Sequence, residues 1–227
     1  MTEGLENLIT INGDSVQALE IIFLTTLITL LPSLLVMVSS FTRYIISFSF
    51  LRSALGTQQT PPNVVLIGIA LFLTLFTMAP TLGQIQEEAY EPYLAEEISQ
   101  EEFMDRAQIP LKEFMIRNTK TNTLRMFCDL GKVDMPENVN VDTVRDALPL
   151  TVIVPAFMTC ELQRAFTIGF LLYLPFMLID IVVSSTLMSM GMIMLPPSMI
   201  AMPFKLLLFI TLNGWELLFS SLVQGFK

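Results

Sequence analysis

The segment MSMGMIMLPP sets Met188, Met190, Met192 and Met194 around Gly191 and ahead of Pro196–Pro197. Thioether side chains are flexible and polarizable, so they fit irregular or changing contacts better than Leu or Ile. Gly191 lets backbones approach closely, and a double proline cannot continue a helix interior. Met199 and Met202 follow close behind. This is apolar sequence made to turn. The residues alone read equally well as a constriction or gate and as a helical corner packed with methionine.

The second set of chemically capable residues is charged. Between Arg164 and Lys205 lie 40 residues in which Asp180 is the one charge. An ionised Asp at the centre of a lipid-facing helix costs roughly 3 kcal/mol, so Asp180 is expected to face protein or water beside a partner. Lys205, brought back by the Met turn, is that expected partner. Such a pair could serve a proton or ion relay or simply hold two helices together. One carboxylate with no second intramembrane acid favours the plain ion pair. Glu161 and Arg164, at i,i+3, can pair with each other or across subunits. Glu216, beside Trp215, reads as an intersubunit or interfacial contact. The run Glu87, Glu88, Glu91, Glu96 and Glu97 could hold cations, though a solvated helical face is the simpler reading.

Histidine is absent, which removes Ser–His triads, HExxH zinc sites and His-based proton relays. Cys128 and Cys160 lack CxxC spacing and read as two free buried thiols. No nucleophile–base pair, phosphate loop or metal cluster emerges, so the expectation is a non-enzyme with no cofactor and no metal. The net charge of −9 makes nucleic acid an improbable partner.

The elements that must position these residues are apolar helices. The chain has 227 residues, 53% of them hydrophobic and 15% charged. Uncharged windows of 22, 34 and 40 residues follow Glu20, Arg52 and Arg164, with Asp180 the exception in the last. With the tail 206–226, which carries only Glu216, they give four segments of membrane-spanning length. Leu148 to Cys160 is a weaker apolar run.

Helix 1 is expected over Ile21–Phe41, kinked at Pro32. Tyr44, Ile45, Phe48 and Leu51 continue at helical spacing as an amphipathic segment ending near Gly56. Helix 2 is expected from Val64 to Met78, stopping before Pro80. Residues 83–148 carry 14 acidic and 7 basic side chains and form the one clearly water-facing region. There Ser99 and Glu102 have capping-box spacing, Pro110 opens a second helix to about Leu130, and Asp142 caps a short turn. Helix 3 is expected over Ala165–Met188 and helix 4 after Pro197. Arg43 and Arg52, read as loop charges, place the first connection in the cytoplasm and the acidic regions outside. Residues 1–20 lack a basic n-region, so either the sequence begins at a mature end or, as is expected, the first apolar segment acts as its own uncleaved insertion signal. The fold class is all-α: bent, proline-broken hydrophobic helical hairpins with a small acidic extracytoplasmic helical region. A single domain comprises a first hairpin (21–82), the acidic insert (83–148) and a second hairpin (149–227) with the Met turn.

FTRYIISFSFLRSALGTQQTPPN, VPAFMTCELQRAF, LPFMLIDIVVSS, MGMIMLPP and MPFKLLLF resemble the successive motif blocks of the FliP/SctR family of type III secretion export gates. The GTQQTPPN form and the double proline resemble the flagellar branch more than the injectisome branch. The resemblance implies a helical oligomer of about five copies with FliQ-like and FliR-like subunits. It also implies FlhB-like and FlhA-like export components, unfolded secreted substrates, and the flagellar basal body in the bacterial inner membrane. Apolar segments there form bent hairpins surrounded by protein, where broken helices and charges are tolerable. The family's methionine gasket maps onto Met190, Met192 and Met194, with Met188 flanking and Ile193 interrupting the run. Gly191, Pro196 and Pro197 become its turn. Glu161, Arg164, Asp180, Lys205 and Glu216 become interhelix or intersubunit polar contacts. The alternatives are an injectisome gate subunit and, from another class, a secondary transporter using Asp180 within a broken helix.

Overall fold

The computed structural model describes residues 10–11, 14–15, 25–26, 28–30, 33, 36–57, 59–136, 140–192 and 194–226. The chain divides into two compact units, Met1–Met37 and Val38–Lys227. In the first, strands β1 (Thr10–Ile11) and β2 (Asp14–Ser15) pair antiparallel, with Thr10 opposite Ser15 and Ile11 opposite Asp14. Nine residues of the expected helix 1, Pro32 among them, lie outside the described residues, as does most of the 1–20 segment.

Among its described residues the second unit has helices and no strand. Helix α1 (Phe41–Leu55) presents Tyr44, Phe48 and Leu51 inward, as their spacing requires, and ends at Gly56 in the left-handed conformation (φ 77°). Its N–H donates to the Ser53 carbonyl. Helix α2 (Asn63–Ile85) runs on through a π turn (Gln86–Tyr90) into a last helical turn (Glu91–Leu94). Helices α3 (Gln100–Arg117), α4 (Thr121–Gly131) and α5 (Val141–Ala147) form the acidic insert. Helix α6 (Leu150–Ser189) is 40 residues long, about 60 Å at the α-helical rise. Helices α7 (Pro197–Thr211) and α8 (Gly214–Gln224) follow, bent by 64° at their junction.

The prolines correct several boundaries. Pro80 lies inside α2, Pro110 inside α3, and Pro155 and Pro175 inside α6. Helix 2 therefore does not stop at Met78, and Leu148–Cys160 is not a separate run but the start of α6. Interior proline costs one hydrogen bond and some bending. Ending the helix in apolar surroundings would strand several backbone groups, each costing more. The insert's second helix begins at Thr121 rather than Pro110, after a break at Asn118–Lys120. Asn140, not Asp142, caps α5 through a capping box with Thr143, while the Ser99–Glu102 box stands as expected.

Of the four expected spans, two match single helices long and apolar enough to cross a membrane, Asn63–Leu94 and Leu150–Ser189. The bent α7–α8 pair can make a third, and the first lies partly outside the described residues. Two cores hold this unit together. One joins α3, α4, α5 and the start of α6 through Phe114, Met115, Leu124, Val144 and Phe157. The other joins α1, α2, α6, α7 and α8 through Tyr44, Phe48, Leu66, Phe176 and Leu222. Phe226 packs against both. Each fully buried Phe or Leu contributes about 1.5–3 kcal/mol, so both layers are substantial.

Candidate functional site

Helix α6 ends where MSMGMIMLPP begins to turn. Gly191 takes φ 74°, its N–H donates to the Met188 carbonyl (3.1 Å), and the Met192 N–H donates to the Leu187 carbonyl (3.0 Å). Both bonds belong to a Schellman cap, which needs a left-handed residue where Gly191 stands. Pro196 caps α7 and Pro197 occupies its first position, where the missing N–H has no partner to lose. At the end of α6 Met188, and between the two helices Met190, Met192 and Met194, are all exposed, Met194 at 98%. Ile193 lies outside the described residues. The sequence left open whether these methionines fill a corner; in this chain they project from it.

Asp180 and Lys205 come together as expected. Lys205 Nζ donates to Asp180 Oδ2 (2.7 Å) and also to the Ala54 carbonyl (3.0 Å) at the C-terminal end of α1. Lys205 is 8% exposed and Asp180 42%, so the lysine depends on its partners more than the carboxylate does. The sequence did not signal Ala54, because its contribution is a backbone oxygen.

Glu161 and Arg164 also meet, Arg164 Nη1 donating to Glu161 Oε1 at 3.2 Å. The stronger partner was missed. Arg43 donates to Glu161 through Nε (2.6 Å) and Nη2 (2.5 Å), and its guanidinium lies 3.4 Å from the Phe226 ring centroid. Charge and ring attract. Arg43 is therefore buried inside the fold and not a loop charge, which removes it from the orientation argument. Its signal was present in the spacing, since residues 43, 47, 51 and 54 share the buried face of α1. Arg52, the other basic residue of that connection, pairs with the Asn63 side chain.

Glu216 is exposed in the first turn of α8, where it complements the helix dipole, and makes no ion pair among the described residues. The acidic run from Glu87 to Glu97 is exposed, and among the described residues no group of three carboxylates or thiols is placed to hold a metal ion. In the insert Arg145 joins Glu113 (2.7 Å), Asp146 (2.8 Å) and Asp142 (3.3 Å). Hydrogen bonds from Arg145 hold the Asp146 carboxyl below its ordinary range, and those to Asp146 and Glu113 raise the guanidinium. Cys128 and Cys160 are both buried free thiols, and burial pushes Cys128 up, away from thiolate chemistry.

The constellation is therefore a soft exposed turn on a long helix, braced by two ion pairs. The sequence model of the FliP family matches residues 24–222. The chain belongs to the FliP family. Flagellar biosynthetic protein FliP of Aquifex aeolicus is 46% identical over 217 residues, covering 95% of this chain and 88% of its own. Its counterpart in Bacillus subtilis is 47% identical over 210 residues, 92% of each chain. That of Pectobacterium carotovorum is 47% identical over 212 residues, 93% of this chain and 79% of its own. Membership in the family covers the Met turn, Arg43, Glu161, Asp180 and Lys205 alike, since all fall within 24–222.

Proposed function

We infer that this FliP-family chain is a core subunit of the flagellar type III protein export gate in the bacterial inner membrane. With FliQ-like and FliR-like subunits, about five copies would line a channel for unfolded flagellar subunits, with heterologous contacts between copies. FlhB-like and FlhA-like components would act beside it. Flagellar names on its relatives favour this branch over the injectisome. Within the chain, residues 21–82 and 149–227 would be the two hairpins and 83–148 the insert.

The observation that carries the reading is the projection of Met188, Met190, Met192 and Met194 from a capped turn with no core of their own to fill. Several such turns converging on one axis would make a thioether ring that excludes ions yet deforms around a passing chain. The chemistry asked of it is packing, not bond making. Asp180, which prompted the transporter alternative, lies on the continuous α6 and is paired with Lys205, which favours a structural ion pair over a coupling carboxylate.

Replacing Met190, Met192 and Met194 with Ala should let ions leak through membranes containing the assembled gate while secretion largely survives. A membrane that stays tight in this variant refutes the gasket assignment.

A further inference from the structure

Two neighbouring cavities outside the Met turn form one amphiphile-shaped track. The first, about 330 Å³, is a recess lined by Arg43, Lys120, Gln163, Arg164 and Thr167. Three cations meet there, and among the described residues the one carboxylate among their partners is Glu161. Arg43 is committed to Glu161 at the recess floor. Lys120 Nζ has Gln163 Oε1 as its partner at 2.9 Å, and Arg164 reaches Glu161 through Nη1 alone. Donors on both therefore remain to be used. In a chain of net charge −9 this is an island of positive charge.

The second cavity, about 290 Å³, begins where the first ends. Ile168 lines both. From there it follows α6 through Leu171, Pro175 and Phe176 and is closed by Phe209 and Leu217 of α7 and α8. From Ile168 to Phe176 the helix rises about 12 Å, the length of a substantial part of an acyl chain. Arg164 is also the last charge before Asp180 on a helix long and apolar enough to cross a membrane, so the recess stands at the polar end of the track.

We propose that the track is a binding site for one anionic phospholipid, its phosphate held by Lys120 and Arg164 and one acyl chain lying along Ile168, Leu171 and Pro175. Charge complementarity selects an anionic head, and the apolar continuation selects a lipid over a soluble anion. The phosphate accepts hydrogen bonds from the two side chains without displacing the Arg43–Glu161 pair. Basic recesses between membrane helices recognise anionic heads in this way.

The test is native mass spectrometry of the full chain in detergent, titrated with phosphatidylglycerol or phosphatidylcholine. The wild type should retain phosphatidylglycerol about tenfold better. K120Q/R164Q should bind both lipids alike, R164K should keep the preference, and L171W should lose phosphatidylglycerol with the cations intact. Inorganic phosphate should fail to displace the bound lipid. Circular dichroism of each variant establishes that it is folded, and the partly exposed Arg164 and exposed Leu171 make that outcome expected. Equal binding of both lipids by the wild type overturns the site, as does an undiminished preference in K120Q/R164Q. Full displacement by phosphate reduces it to an ion site, and crosslinking of position 171 to a second copy without lipid means that protein covers the groove. None of these outcomes touches the methionine reading.

Discussion

Arg43 and Glu161 lie 118 residues apart and meet through two hydrogen bonds, at 2.6 and 2.5 Å, with both side chains closed off from solvent. Helices α1 and α6 are thus pinned at one end by a charged pair and along their length by aromatic packing. Removing one partner of a buried pair leaves an uncompensated charge and costs about 3–5 kcal/mol, more than the pair's net contribution. R43M or E161M should each lower the chemical-denaturation midpoint steeply. R43M/E161M should recover most of the loss, because Arg164 is 27% exposed and can turn to water. A double variant as unstable as the singles would contradict the pinning role.

The second pair predicts an asymmetry. D180N takes the counter-charge from Lys205, which is nearly closed off and keeps only neutral carbonyl acceptors, the Ala54 backbone oxygen and the new amide oxygen. K205M leaves Asp180, which is 42% exposed and can be hydrated. Stranding a mostly buried group costs about 1–3 kcal/mol, so D180N should lower thermal stability more than K205M. The reverse order would show that Asp180, not Lys205, is the dependent partner.

Helix α1 crosses α6 closely at Gly169. A Cβ there would overlap the ring of Phe50, which also packs edge-on against Phe166 and Tyr173. G169A should cost about 1–3 kcal/mol by overpacking, and F50L should relieve part of it in a double-mutant cycle. Additive losses would mean that the two positions do not share space.

How far the sequence reached is visible in these pairs. Asp180–Lys205 was legible because a lone carboxylate in 40 otherwise uncharged residues must find a cation, and the Met turn supplies the return path. Arg43–Glu161 was not. Arg164, one helical turn away, offered Glu161 a local partner, and local spacing carries no information about a residue 118 positions earlier. The buried face of α1 was legible from Tyr44, Phe48 and Leu51, yet Arg43 on the same face was read as a loop charge. The prolines misled for a different reason. Pro80, Pro110, Pro155 and Pro175 each lower local helix propensity, and propensity is a weak prior beside the demand for backbone hydrogen bonds in apolar surroundings. The projection of the methionines is a three-dimensional fact that composition alone could not supply.

The acidic insert should respond to pH through Arg145. Asp146 has a folded-state pKa held below its usual 3.8 by hydrogen bonds from Arg145. A carboxyl depressed in the folded state contributes stability above its unfolded pKa and loses it as the pH falls through the folded value. The wild type should therefore lose thermal stability below about pH 4, and R145Q should lose less over the same interval while starting lower at pH 7. Equal pH slopes in the two proteins would remove Asp146 from the account.

Gly191 gives the sharpest test of the turn itself. Its φ of 74° disfavours any side chain, although an added Cβ would meet nothing within 4 Å. Backbone strain is therefore isolated from packing. A non-glycine residue in the left-handed region costs about 1–2 kcal/mol, Asn less, and a β-branched residue more. G191N should be nearly silent, G191A intermediate and G191V worst, in both thermal stability and ion tightness of the assembled membrane. If stability follows that order but tightness does not, the Schellman cap serves the fold without setting where Met190, Met192 and Met194 point. If both follow it, the left-handed residue is what aims the methionines, and the cap belongs to the gate.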